Sequence, residues 1–342
     1  MKVLYLHHNQ PDYLAESLFH GLRSLLGENC VDVPRYDSMY SPLTDKMCSK
    51  LRGHGFTLYG LLEDIPDLAE ARFFWEQDIN DYDLIIIANI WEQWQQFWTL
   101  LSQKKLNKIV VLDGSDQPAF FPYNSIKQKL KNIPLSFFTP TSKVKYFKRE
   151  LMSGGYRYGI DRYIPNWLHS WIPLAENALP ISFSIPDEKI NRPNNIQRTK
   201  DFPIHIVDLE VSENIHGSNF SDIGSNINAF ISETDYYNDL QKSRFGVTTK
   251  RAGWDCLRHY ELAANGCVLC FRDLDLKPIT CAPHGLNESN CITYSSFEDL
   301  MNKISSTSSS EYLQLQNMTY NWIANNTTLV RAKDFLKDCF IN

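Results

Sequence analysis

Short apolar segments alternate with helix-like segments along this chain, and that alternation restricts the fold more than any other feature. The clearest covers residues 84–88, where five apolar residues in a row predict a strand buried on both faces of a sheet. The other elements predicted for the first half are strands at residues 2–6, 30–33 and 108–112 and at Phe137-Phe138, and helices at 14–26, 91–102 and 144–152. Strands alternating with helices are typical of a parallel sheet.

A second series of elements begins after residues 173–199, a polar stretch with several prolines. Its predicted elements are strands at residues 202–207 and 290–294, a polar loop at 210–221, helices at 223–231, 236–242 and 297–304, and a helical tail at 312–340. Polar, proline-bearing stretches are typical of domain boundaries.

A chain of 342 residues is too long for one ordinary core, which favours two domains. We therefore predict two Rossmann-like, doubly wound α/β domains facing a cleft. The first should cover residues 1–180 and the second residues 181–322. The remaining residues, 323–342, should form a helix that packs back on the first domain.

Composition excludes some classes of function. A formal net charge of −6 argues against general nucleic-acid binding. The eight cysteines form no convincing metal or redox motif, so we expect buried, reduced thiols. No signal segment and no apolar run that could cross a bilayer is visible, which predicts a cytoplasmic protein. Peripheral attachment to a membrane stays open.

Residues 243–275 carry the strongest indication of function. They read as a strand, a basic loop with Lys250 and Arg251, a helix with Arg258 and Glu261, and a second buried strand. The helix is predicted from residue 254 to residue 265, with Asp255 as its N-cap. Its N-terminus and the basic loop would attract a diphosphate, and a carboxylate one turn away could accept hydrogen bonds from a ribose. A surface ion pair is the ordinary alternative for an Arg and a Glu three apart.

The segment 254–266 resembles the R-x-x-E helix of GT-B glycosyltransferases, and most closely that of the bacterial group similar to the spore-maturation protein CgeB. It is more loosely similar to exostosins and to phage DNA β-glucosyltransferase. Residues 12–14, 20–27 and 146–150 also look like the bacterial group.

The resemblance implies transfer of a sugar from a nucleotide-diphosphate donor, first of all a UDP-sugar, to a hydroxyl of a glycan or another acceptor. The second domain would hold the donor, without a metal or other cofactor. Glu261 would accept from the ribose and Arg258 would face the diphosphate. Lys250, Arg251, Asp255 and His259 complete the predicted donor-binding set, although His259 could equally be a buried histidine with both nitrogens engaged.

Deprotonation of the acceptor needs a base across the cleft, at the carboxyl end of a strand of the first domain. Asp116 and then Asp113 are the candidates, because both follow the predicted strand at 108–112. The alternative is that they only build a turn. The predicted acceptor-binding residues are His7, His8 and Asp12.

Two other functions fit the same pattern. A sugar-nucleotide epimerase with the same fold would hydrolyse or isomerise the donor with no acceptor present. A non-catalytic protein could bind the nucleotide sugar after losing the base.

Overall fold

Two parallel sheets organise the fold. The computed structural model describes residues 1–103, 108–121, 144–152, 178–192, 197–217 and 230–340. The predicted strand at Phe137-Phe138 and nearly all of the predicted helix at 223–231 lie outside these residues.

The first sheet has six described strands, all parallel, in the order β2-β1-β3-β4-β5-β6. They are β1 (Val3–Leu6), β2 (Cys30–Val33), β3 (Leu84–Ile87), β4 (Ile109–Asp113), β5 (Lys145–Lys148) and β6 (Ala178–Pro180). Every residue of β1 and β3 is buried, as their continuous apolar sequence predicts.

The described helices of this half are α1 (Tyr13–Leu26), α2 (Asp45–Cys48), α3 (Leu68–Phe74) and α4 (Ile90–Ser102). Asp12 caps α1 by accepting hydrogen bonds from the backbone N–H groups of Leu14 and Ala15. Asn89 caps α4 in the same way. Asn89 lies two residues after the end of β3 and donates to the Asp12 carboxylate, so both caps lie at the carboxyl edge of the sheet.

The second sheet has three described strands, again parallel, in the order β7-β8-β9. They are β7 (Phe245–Thr248), β8 (Val268–Arg272) and β9 (Ile292–Tyr294). The described helices of this half are α5 (Leu209–His216), α6 (Glu233–Lys242), α7 (Leu257–Ala264), α8 (Phe297–Ser306) and α9 (Ser309–Ala324).

The last helix, α10 (Thr328–Phe340), lies against α1 of the first half. Gly21 makes this contact so close that a Cβ built there would stand 1.9 Å from the backbone oxygen of Thr328. The chain thus crosses between the halves twice, near residue 185 and near residue 327, and the two crossings pair through a bridge between Ile185 and Thr327. One cluster of buried apolar side chains runs through both halves.

Several predicted elements were wrong. Residues 144–152 form β5 and the segment after it, not a helix. Residues 202–207 form no strand, because Pro203 lacks an N–H and the Asp239 side chain takes the N–H of Ile204. The predicted loop at 210–221 is mostly α5, and the helical tail breaks between α9 and α10.

Candidate active site

The carboxyl edges of the two sheets meet around Arg149 and Glu150, which follow β5. The buried Arg149 guanidinium donates to the backbone oxygen of Asp255 through Nη1 at 2.7 Å. Glu150 Oε1 accepts from the backbone N–H groups of Trp254 and Asp255 at 2.9 and 3.2 Å. Gly253 is required here, because a Cβ would stand 2.5 Å from Glu150 Oε1. The loop before α7 is therefore held by the first domain.

Asp255 was predicted as the N-cap of α7, but Cys256 holds that position and the helix begins at Leu257. The Asp255 carboxylate is buried and accepts from the Phe183 N–H at 2.8 Å and from the Tyr260 hydroxyl at 2.9 Å. Burial raises the pKa of Asp255 in spite of the nearby Arg149. These contacts fix the linker and α7 together, and they do not favour the predicted contact with a donor.

Two buried N–H donors lie beside the first turn of α7 without a partner among the described residues. One is Nη1 of Arg258 and the other is Nε2 of His205. Burial, with the nearby Arg258 and Arg251, lowers the pKa of His205 to about 3, so its ring is neutral at pH 7. Nδ1 of that ring accepts from Arg258 Nη2 at 3.2 Å, which leaves the proton on Nε2. Each of the two side chains therefore keeps one N–H group available for an acceptor such as an anion.

The basic loop adds charge at the same end of the helix. Lys250 and Arg251 are exposed, and the Lys250 ammonium lies 5.6 Å from the ring centre of Trp254. No side chain caps α7, since Cys256 makes no capping hydrogen bond. The helix N-terminus and these cations together favour an anion.

Glu261 lies one turn further along α7 and is buried. Its Oε1 accepts from the Thr57 hydroxyl at 2.5 Å and its Oε2 from the Tyr236 hydroxyl at 2.7 Å. Thr57 belongs to the first half and also hydrogen-bonds the Tyr237 hydroxyl at 2.8 Å. Glu261 therefore faces a surface shared by the two halves, three residues from Arg258, as the sequence spacing predicts.

His259 has no nitrogen left for a phosphate. Nδ1 hydrogen-bonds the Thr248 hydroxyl at 2.8 Å, and Nε2 bonds the backbone oxygen of Trp254 at 2.9 Å. Burial lowers the pKa of His259 to about 4. The ring holds the basic loop against α7, so the predicted direct role in donor binding is not favoured.

Asp113 is fully buried at the end of β4. Oδ1 accepts from Trp91 Nε1 and from the Ser115 N–H, both at 3.0 Å, and Oδ2 accepts from the Tyr146 hydroxyl and from Lys148 Nζ. Burial alone would raise its pKa, but the Lys148 ammonium and the hydrogen bonds hold the pKa below its usual value. Such a carboxylate is a poor proton acceptor for a substrate.

Asp116, the first-choice base, is half-exposed with 53% of its side chain accessible. It accepts from the Arg149 guanidinium, which also donates from Nε to the Gly114 oxygen at 3.1 Å. The contact engages the Asp116 carboxylate in an ion pair with Arg149, so it is not free to meet an acceptor. The structure thus favours neither aspartate for that role.

The predicted acceptor-binding residues follow β1. His7 is buried, and its ring nitrogens contact the backbone oxygens of His8 and Pro34 at 3.0 and 2.6 Å. His8 Nδ1 accepts from the Gln10 N–H, and its Nε2 is buried without a partner among the described residues. Asp12, besides capping α1, accepts from Asn89 Nδ2 at 2.8 Å. His7 and Asp12 therefore have structural contacts, and His8 keeps an unused donor.

Other classes of site are not seen in the part of the chain that the structure describes. No group of three or more His, Cys, Asp or Glu residues could hold a metal ion there. None of the described helices combines the length and the apolar character that a membrane crossing requires. All eight cysteines are free thiols, and five of them are buried.

The sequence reasoning missed His205, Thr57 and Tyr236. His205 lies within residues 202–207, the segment that was predicted as a strand, and a polar residue near the end of such a segment is the one available signal. Thr57 and Tyr236 reach Glu261 from positions 204 and 25 residues away in sequence. Contacts at that separation have no local sequence signal.

No family model matches the chain, and no curated protein matches it either. Solved structures are similar over almost the whole length. Anabaena HepE in complex with UDP and glucose has a TM-score of 0.52 at 11% identity, covering 98% of both chains. The E. coli trehalose-6-phosphate structure bound with UDP-2-fluoro glucose has a TM-score of 0.51 at 9% identity, covering 100% of both.

These similarities confirm the predicted fold class. The chain has the GT-B fold of glycosyltransferases, in which two Rossmann-like α/β domains face a cleft. The structural matches do not single out the CgeB-like group.

Proposed function

We propose that the protein is a glycosyltransferase that moves a sugar from a nucleoside-diphosphate donor, first of all a UDP-sugar, to a hydroxyl acceptor. The observation that carries the proposal is the pair of buried N–H donors on Arg258 and His205, which have no partner in the part of the chain that the structure describes. Buried polar groups are normally satisfied, so an anionic ligand would supply the missing acceptor. The diphosphate of a nucleotide sugar has this chemistry.

The chain's own cations would stabilise the departing nucleotide. As the bond between sugar and diphosphate breaks, negative charge develops on the diphosphate oxygens. Arg258, Lys250, Arg251 and the N-terminus of α7 supply fixed positive charge at that place. In this proposal they supply the leaving-group stabilisation without a metal ion.

Glu261 would hold the ribose. Among the described residues its carboxylate accepts from the hydroxyls of Thr57 and Tyr236, and each carboxylate oxygen can accept more than one hydrogen bond. A uracil base is supported by the similarity to structures that contain UDP or UDP-2-fluoro glucose.

Binding of UDP and of 2′,3′-dideoxy-UDP, measured by calorimetry, tests this assignment. We expect Arg258→Lys to weaken both ligands about tenfold or more, because lysine cannot reproduce the paired contacts of the guanidinium. We expect Glu261→Gln to weaken UDP about tenfold and to leave dideoxy-UDP nearly unchanged, since that ligand has no ribose hydroxyls.

Lys242→Gln, on the exposed last turn of α6, is the matched control and should bind UDP as the parent protein does. Equal losses of both ligands on Glu261→Gln would contradict the ribose assignment. Failure of UDP, GDP, CDP and dTDP alike to raise the melting temperature would contradict the donor site as a whole.

A further inference from the structure

A cavity of about 510 Å³ lies over the start of α1, apart from the residues assigned to the donor. It is lined by the connection between β1 and α1 and by the segment after β2, including Asn9, Gln10, Glu16, Tyr36, Ser38 and Met47. Amides, hydroxyls and a carboxyl beside an apolar side chain are suited to a neutral ligand rich in hydroxyl groups.

Tyr36 lines this cavity and carries a hydroxyl that has no partner among the described residues. Its ring stacks on His7 with the ring centres 3.6 Å apart, and only 4% of the residue is exposed. The hydroxyl itself is buried. Because buried hydroxyls are normally paired, a ligand hydroxyl at this point would complete the site.

Glu16 is a buried ionisable group of the cavity and is only 1% exposed. Its Oε2 accepts from the Tyr59 hydroxyl at 2.7 Å. Burial raises the pKa of Glu16 to about 8, with Asp12 adding to the rise and the Tyr59 hydrogen bond and Arg52 opposing it. The other ionisable groups that interact with it are Tyr5, Tyr13 and Tyr36, and Lys50 and Asp37 also line the cavity.

The cavity lies next to the proposed ribose site. Thr57 donates to Glu261, and Tyr59, two residues further along the same segment, donates to Glu16. Two residues of extended chain span only about 7 Å. Tyr13 interacts electrostatically with both Glu261 and Glu16. A ligand in the cavity would therefore lie beside a bound nucleotide sugar.

We propose that this cavity is the acceptor subsite, that it takes a neutral sugar, and that Glu16 removes the proton of the attacking hydroxyl. The inference rests on the proposed function. The acceptor oxygen forms a bond to the anomeric carbon while the bond from that carbon to the diphosphate oxygen breaks. The electron pair of the broken bond leaves with the nucleoside diphosphate. The hydroxyl proton moves to the Glu16 carboxylate, which later releases it to water.

The test measures UDP release from UDP-glucose with and without a panel of neutral methyl glycosides, including the α and β anomers of methyl glucoside. At least one glycoside should accelerate UDP release by the parent protein. Glu16→Gln should lower the acceptor-dependent kcat/KM at least a hundredfold, and Glu16→Asp should restore part of it. In the parent this kcat/KM should rise with pH toward about 8, and Glu16→Gln should abolish the rise.

Tyr36→Phe should raise the KM for the glycoside about tenfold with little change in kcat, since it removes only a binding contact. Glu28→Gln, exposed just after α1, is the matched control and should behave as the parent does. UDP binding to each variant shows whether it is folded. If Glu16→Gln binds UDP normally and transfers sugar as fast as the parent, the acceptor inference is overturned and the proposed function is not. The same holds if the parent binds UDP but no glycoside of the panel accelerates UDP release. Absence of UDP binding by the parent overturns the proposed function instead.

Discussion

The Arg149 guanidinium, which follows a strand of the first sheet, donates to the backbone oxygen of Asp255, just before α7 of the second half, at 2.7 Å. The same side chain donates to the Gly114 oxygen and to the carboxylates of Glu150 and Asp116. One buried cation thus joins the end of β4, the end of β5 and the loop before the proposed donor helix.

Arg149→Lys should destabilise the protein by about 3 kcal/mol, because a lysine keeps the charge but cannot make the four contacts at once. Chemical denaturation measures the change. Asp116→Asn is the matched control: it removes one half-exposed partner and should cost about 1 kcal/mol or less. A lysine variant as stable as the parent would show that this network does not hold the halves together.

Gly21→Ala should destabilise the protein by about 1–3 kcal/mol, although alanine is favoured over glycine inside a helix by about 1 kcal/mol. The reason is the 1.9 Å approach to the Thr328 oxygen, which would force α10 away from α1. The measurement is thermal or chemical unfolding. Ser24→Ala, exposed on the same helix, should be neutral or slightly stabilising. A more stable Gly21→Ala protein would contradict the close contact.

Stability should pass through a maximum near pH 6.5. The pKa values of His205, His259 and His284 are lowered by burial to about 3, 4 and 4. The unfolded chain therefore binds more protons below pH 6.5, and stability falls as the pH drops toward 4. The contribution of Glu16 to the pH dependence of stability has the opposite sign, because its pKa in the folded state is raised to about 8. The folded state holds its proton up to that pH, so stability falls as the pH rises.

Between pH 6.5 and 8 the Glu16 contribution amounts to at most about 2 kcal/mol. Denaturant unfolding at pH 5, 6.5 and 8 checks both limbs of the curve. Glu16→Gln should remove the decline above pH 6.5 and leave the acid limb in place. A decline of the same size in that variant would assign it to another group.

The strands and helices that follow from local pattern were predicted well. Residues 84–88 were predicted as a buried strand because all are apolar, and the helix predicted at residues 14–26 matches α1 to within one residue. The spacing of Arg258 and Glu261 put both on one face of α7, which needs no tertiary information.

Long-range pairing explains the failures. Lys148 and Arg149 belong to residues 144–152, which were predicted as a helix, yet both are buried in and just after a strand because Asp113 and Asp255 lie opposite them. Asp113 was predicted as a candidate base because the local sequence does not reveal its four hydrogen-bond donors. These donors come from residues that are distant in sequence or from the backbone. Local patterns do not report such partners, so polar residues were assigned to the surface or to catalysis.

The pairing of α10 with α1 also has a consequence for how the protein is made. The N-terminal half emerges first from the ribosome, but the surface of α1 around Gly21 stays uncovered until the chain has been synthesised through residue 340. The apolar cluster that runs through both halves includes Phe335 of α10, whose ring contacts that of Phe147 in β5. Folding of the first half can therefore finish only after the second half has been translated.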